Sequence, residues 1–211
     1  MNFKNNEEDY VKTIFSLSEA FEVANENQIS RDLNVSMATV SEYLNKLERK
    51  KLIRKDGRDI TLTREGYTMA IPVIKKHRIS EVFAVKMLEV PWEYSHSAVM
   101  DIEHTIEDKY FDNFIRNLGN PLKCPHGNSI YNTSKTDDIK ALLADNGKYR
   151  ISRIVYEDTE MLKKMADLGM YPDTIVEVMH GDVVILSNNN GELKLPSIMS
   201  RTIRLGNILP A

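Results

Sequence analysis

Apolar residues recur at helical spacing from Val11 to Phe21 (Val11, Ile14, Phe15, Leu17, Ala20 and Phe21), after the polar run Asn6-Glu7-Glu8-Asp9. An Asn cap followed by acids suits a helix start, whose free N–H groups and dipole favour both. Residues Asn27–Lys50 show two further apolar faces, Ile29 with Leu33 and then Val40 with Leu44 and Leu47. Asn34-Val35-Ser36 separates them, and Ser36 is the expected N-cap of the second helix. Leu52–Arg54 and Ile60–Leu62 then flank a turn at Asp56-Gly57, which predicts a hairpin. Thr63 should cap a long helix running to about Val90, carrying Tyr67, Ala70, Ile71, Ile74, Val82, Phe83, Val85 and Leu88, with a kink or local reset at Pro72. Ser95–Lys109 contains no Gly or Pro and is expected to be one helix capped by Ser95, with Ile102, Ile106, Tyr110, Phe111, Phe114 and Leu118 as core or subunit-interface positions.

Beyond the Pro/Gly-rich stretch Gly119–Asn128 the pattern changes. Short strand-like runs appear at Tyr149–Tyr156, Thr174–His180, Val183–Ser187, Glu192–Leu195 and Thr202–Leu205, with one helix at Asp158–Leu168. Turn signals at Asn146-Gly147, Pro172-Asp173, Gly181-Asp182 and Asn190-Gly191 punctuate them. The expected fold is mainly α with a small β domain: a winged helix-turn-helix over 1–63, a helical dimerisation domain over 64–136 and an SH3-like barrel over 137–211.

Charge changes this picture locally. The 211-residue chain has a net charge of −3, so it is not a basic nucleic-acid binder as a whole. Yet Lys46, Arg49, Lys50, Lys51, Arg54, Lys55, Arg58 and Arg64 outnumber Glu48, Asp56 and Asp59 across the second helix and the hairpin. A basic hairpin directly after a helix-turn-helix is a wing, and phosphates are its natural partner. Ser36, Ala38, Thr39 and Glu42 would face bases, while Lys46, Arg49, Arg54, Lys55 and Arg58 would contact phosphates. One cysteine, Cys124, excludes an internal disulfide framework and suits a reducing cytoplasm. The start of the chain does not look like a secretion signal, and no apolar run reaches the roughly 18 residues a membrane helix needs.

Candidate chemistry collects on Ser95–Lys109. In a continuous helix His96, Met100 and Glu103 share a stripe with His104 beside it, a set that could hold a divalent metal or simply pack a dimer. His77 and Glu81, four residues apart, could form a hydrogen bond, an ion pair or two metal ligands. Asp9 reads as a dipole-favoured acid of a first turn, and Cys124 with His126 as part of a structural loop. No zinc-protease HExxH pattern or paired general base is present, so an enzyme is not expected.

EDYVKTIF at Glu8–Phe15, TVSEYLNKLE at Thr39–Glu48, LTREG at Leu62–Gly66, KKHRISE at Lys75–Glu81, IEH at Ile102–His104 and CPHGNSI at Cys124–Ile130 follow in an order that resembles the diphtheria-toxin-repressor family of metal-dependent transcriptional regulators. The last domain also resembles small ferrous-transport accessory domains. The resemblance implies a homodimeric repressor on a palindromic operator in double-stranded DNA, with no membrane and no small-molecule substrate. It implies two ions per subunit, Fe(II) first and Mn(II) as the alternative. It places a primary site on Asp9, Met100, Glu103 and His104 and an ancillary site on His77, Glu81 and His96. Met100 departs from both branches, where a Cys or a Glu is usual, and Lys12 stands where manganese regulators tend to carry an acid. In relatives whose SH3-like domain donates ligands, the matching positions here are Arg153 and Tyr156. A metal-independent winged-helix regulator is the other reading.

Overall fold

The structure is a computed structural model that describes residues 7–100, 102–131 and 137–208. It divides into two compact units, residues 1–77 with 100–113 and residues 78–99 with 114–211.

The first unit begins with helix α1 (Glu7–Phe21), which buries Tyr10, Val11, Ile14, Phe15, Leu17 and Ala20. The expected Asn6 cap lies outside the described residues. Helix α2 (Glu26–Leu33) starts one residue before the expected segment, because Asn25 and Gln28 form a reciprocal capping box. Asn34 closes α2 in the left-handed conformation (φ 53°), and Ser36 caps α3 (Met37–Arg49) by accepting from the Thr39 N–H at 3.1 Å. Ile29, Leu33, Val40, Leu44 and Leu47 are buried as their periodicity requires. Strands β1 (Ile53–Asp56) and β2 (Asp59–Leu62) pair antiparallel around Gly57, whose φ of 58° the tight turn demands. Helix α4 (Arg64–Met87) opens with Thr63 accepting from the Gly66 N–H at 3.1 Å. A Cβ at Gly66 would lie 2.0 Å from the Leu52 carbonyl oxygen, so only glycine lets α4 approach β1 this closely. Pro72 sits inside α4 without ending it. The helix stops at Met87 rather than Val90 because Glu89 turns left-handed (φ 55°) and the Val90 N–H returns to the Ala84 carbonyl.

Ser95–Lys109 is not one helix. A short helix α5 (Ser95–Val99) ends before Met100, a single 3-10 turn covers Ile102–His104, and α6 (Asp108–Asn117) begins afresh. Ser95 is not an acceptor cap; its hydroxyl donates to the Trp92 carbonyl at 2.9 Å. Thr105 closes the 3-10 turn by donating both its N–H and its hydroxyl to the Ile102 carbonyl, a local bond that competes with helix continuation.

The second unit holds a six-stranded antiparallel sheet in the order β3-β8-β4-β5-β6-β7: β3 (Ile139–Lys140), β4 (Gly147–Ile154), β5 (Ile175–His180), β6 (Val184–Asn188), β7 (Gly191–Leu195) and β8 (Ile203–Gly206). Helix α7 (Thr159–Asp167), capped by Asp158, lies between β4 and β5 in the chain, and the short α8 (Ser197–Ser200) precedes β8. Ile151, Ile154, Leu162, Met165, Val176, Val178, Leu186, Leu195, Ile203 and Leu205 form its core, with Trp92 packed against it. The Cys124–Asn128 loop is fixed to this core: Ile154 N–H donates to the His126 carbonyl, and Asn128 Nδ2 to the Ile154 carbonyl at 2.6 Å. Gly127 is required there, since its φ is 86° and a Cβ would lie 2.4 Å from the Ser152 oxygen. Among the described residues no helix is long and apolar enough to cross a membrane.

Candidate metal centre

In the first unit, α1 and the Ile102–His104 turn bring Asp9, Glu103 and His104 together, with ligand-capable atoms all within 4.8 Å of one another. His104 Nε2 lies 2.8 Å from Asp9 Oδ1 and 3.4 Å from Glu103 Oε1, and its Nδ1 faces Glu8 at 3.2 Å. Asp9 and Glu103 are buried. Asp9 lies one turn before Thr13 and opens the run Asp9–Phe15, every residue of which is buried in α1. Its burial distinguishes it from the solvated first-turn acid it resembled in the sequence. A cleft of about 510 Å³ lined by Glu8, Glu65, Met69, Lys76, Glu103 and His104 opens beside the group.

Two further side chains share Glu103. Lys12 Nζ lies 2.5 Å from Glu103 Oε1, with both side chains buried, and His77 Nδ1 contacts the other carboxylate oxygen. Burial by itself would raise the Glu103 carboxyl, but His77 first and Lys12 second draw it down to about 2. Met100 is half-buried, and its Sδ sits 3.5 Å from Lys12 Nζ. His77 Nδ1 is thus in contact with Glu103.

In the second unit a different set converges. Glu81, Cys124, His126 and Glu157 place ligand-capable atoms within 4.8 Å of one another. His126 Nδ1 is 3.3 Å from Glu157 Oε1 and 3.5 Å from Glu81 Oε1. His96 Nδ1 joins from the side, 2.6 Å from Glu157 Oε2 and 3.5 Å from Glu81 Oε1. Burial lowers the His96 imidazole, but Glu157 and Glu81 more than reverse this and raise it to about 10. The same two acids, Glu157 first, lift His126 well above its usual range against its burial. The Cys124 thiol is pushed up to about 11 by burial and by Glu81. The Trp92 ring packs 5.0 Å from that of His126, and its Nε1 donates to the Pro125 carbonyl.

Glu157, Cys124 and His126 were not singled out as ligands from the sequence. The signal for Glu157 was slight, an acid directly before the Asp158 cap. For Cys124 and His126 the local spacing was visible but their carboxylate partners lie far along the chain. Arg153 is not part of this group; its Nε pairs with Asp138 at 2.7 Å.

Of the residues expected to face DNA, Ser36, Ala38 and Glu42 are exposed and Thr39 half-buried at and beyond the N-terminus of α3. Arg49, Arg54 and Arg58 are exposed. Lys55 donates to Asn45 at 2.6 Å. Lys46 and Lys50 both bind Glu7 of α1, at 3.0 and 2.6 Å. The Tyr10 ring of α1 stacks on Tyr43 of α3 at 4.5 Å and 2°. The helix that carries Asp9 is therefore packed directly on α3.

Comparison with known proteins matches the family model "Iron dependent repressor, N-terminal DNA binding domain" to residues 2–58 and "Iron dependent repressor, metal binding and dimerisation domain" to residues 63–132. A FeoA domain matches residues 141–205. The iron-dependent repressor IdeR of Mycobacterium leprae is 27% identical over 219 residues, covering 94% of this chain and 95% of that protein. The diphtheria toxin repressor of Corynebacterium jeikeium is 24% identical, again over 94% and 95%. Among solved structures, that of T. acidophilum IdeR superposes with a TM-score of 0.88 at 28% identity, covering 97% and 99% of the two chains. The manganese regulator SloR superposes with a TM-score of 0.81 at 26% identity, covering 96% and 99%.

Proposed function

Because the chain belongs to the diphtheria-toxin-repressor family of metal-dependent transcriptional regulators, we propose that it is a homodimer that grips a palindromic operator when Fe(II) occupies Asp9, Met100, Glu103 and His104. Metal-activated repression through DNA binding is the family's activity, and one of the matched models is that of its metal-binding and dimerisation domain. The observation that carries the site is the meeting of Asp9 with Glu103 and His104, residues more than ninety positions apart, around buried carboxylate oxygens and an imidazole nitrogen. Two carboxylates, an imidazole and a thioether suit a divalent first-row ion.

A bound ion, held by Asp9, Met100, Glu103 and His104, would supply two positive charges to offset the carboxylates of α1 and the Ile102–His104 turn. The rest is the work of this chain's residues. Asp9 holds α1 to that turn, and Tyr10 and Glu7 pass the position of α1 to α3 through Tyr43, Lys46 and Lys50. Only an arrangement that binds the ion more tightly than its alternatives gains population, so the metal-loaded arrangement is the one that reads DNA. There, Ser36, Ala38, Thr39 and Glu42 read base edges, while Lys46, Arg49, Arg54, Lys55 and Arg58 position the protein on phosphates.

For the second ion the candidate donors are His77, Glu81 and His96, as the resemblance implies, with Glu157, Cys124 and His126 gathered beside Glu81. The approach of His96 to both Glu81 and Glu157 supports this. Mn(II) is the second reading for the primary centre, favoured by its carboxylate and imidazole donors and by the absence of a thiol beside them. The test is operator binding by the full chain with Fe(II) under anaerobic conditions, with Mn(II), and with a chelator. Equal affinity in all three would sink metal activation.

A further inference from the structure

The Lys12 ammonium is buried inside the primary centre, one helical turn after Asp9 on the same face of α1. Its acceptors are Glu103 Oε1 at 2.5 Å and Met100 Sδ at 3.5 Å. Glu103 Oε1 is also the oxygen that faces His104 Nε2 at 3.4 Å. The other Glu103 oxygen is taken by His77. The carboxylate that a metal ion would need is thus already engaged on both sides by the chain itself.

We infer that Lys12 is an internal cation of the primary centre, which holds Glu103 in the metal-free protein and must be displaced by the incoming ion. The inference rests on the assignment of that centre to Asp9, Glu103 and His104. Its physical basis is charge. Asp9 and Glu103 bring two negative charges into a buried site, and Lys12 cancels one of them. A second cation entering beside Lys12 meets like-charge repulsion in a medium that screens poorly, unless the ammonium withdraws. Lys12 therefore lets the empty site stay folded without a metal, and it weakens metal binding. The sensor then responds at a higher ion concentration than its ligands alone would set.

The experiment compares wild type with Lys12→Gln, Lys12→Arg and Asp9→Ala, titrating Mn(II) and Co(II) against a competing chelator and recording the Co(II) visible spectrum. Lys12→Gln should bind about tenfold more tightly or better at the primary centre, because a like charge has gone. It should also melt lower than wild type when metal-free and gain more on loading. Lys12→Arg keeps the charge and should stay within about threefold of wild type. Asp9→Ala should lose primary-centre binding; if it does not, the site assignment itself fails. If Asp9→Ala weakens binding but Lys12→Gln matches or falls below wild type, the role of Lys12 is overturned. Should Lys12→Gln not fold, the wild type still decides. The Lys12 ammonium signal in nitrogen-edited NMR, identified by its loss in Lys12→Arg, should change in step with added Zn(II). An ammonium signal that Zn(II) leaves unmoved would refute displacement.

Discussion

The two candidate centres solve the same electrostatic problem in different ways. Each buries two carboxylates, Asp9 and Glu103 in one unit and Glu81 and Glu157 in the other. The first holds a permanent cation, Lys12, against Glu103. In the second, His96 and His126 are both drawn toward the charged form by the acids. Filling the first therefore means moving an ammonium, whereas filling the second means releasing protons from imidazoles and a thiol. The second should therefore couple ion affinity to pH through these groups.

The largest expected effect separates the centres by stability. Glu103→Ala strands the buried Lys12 and should cost about 3–5 kcal/mol in metal-free unfolding, with metal-dependent operator binding lost. Denaturant melts with a chelator present, followed by operator titrations, measure both. Acid should do part of the same. Glu103 lies at about 2 in the folded protein against an ordinary 4.5. Its folded value is depressed, so the stability it carries is complete above about pH 4.5 and is lost as pH falls toward 2. The amount at stake is on the order of 3 kcal/mol. Melting temperature measured between about pH 5.5 and pH 3 should fall less steeply in Glu103→Gln than in wild type.

These residues also show what the sequence discloses. The helix-turn-helix and wing were legible because their information is local: apolar period, the Ser36 cap, the Asp56-Gly57 turn and a run of basic residues. The SH3-like part was legible from alternation and turn chemistry. The Ser95–Lys109 segment was misread as one helix because the bonds Thr105 makes to Ile102 leave no mark in periodicity. That break matters, since it is the 3-10 turn that carries Glu103 and His104. The second group was only half legible for a different reason. Cys124 and His126 are neighbours in sequence, but Glu81 and Glu157 reach them only through tertiary packing, which pattern does not encode.

Smaller effects probe the second centre and the link to DNA. His96 is raised from 6.5 to about 10, so its ion pair stabilises the metal-free protein below about pH 6.5 and is lost as pH rises through 10. A metal that takes its place must expel a proton. Affinity at this centre should therefore rise by about tenfold per pH unit for each proton released, seen as buffer-dependent heats in calorimetry. Cys124→Ser should weaken Cd(II) there by about tenfold or more while changing Mn(II) much less, because the thiolate is the soft donor. Glu7→Gln frees Lys46 and Lys50 for phosphates. Operator affinity should rise about threefold at low salt, with a salt slope steeper by roughly 1 to 2.

The most direct test is operator binding by Asp9→Ala and wild type, each titrated anaerobically with Fe(II) against a chelator control. The account predicts that wild type binds its operator at least about tenfold more tightly with Fe(II), and that Asp9→Ala, still folded, loses this gain. An Asp9→Ala protein that responds to Fe(II) as wild type does would contradict it.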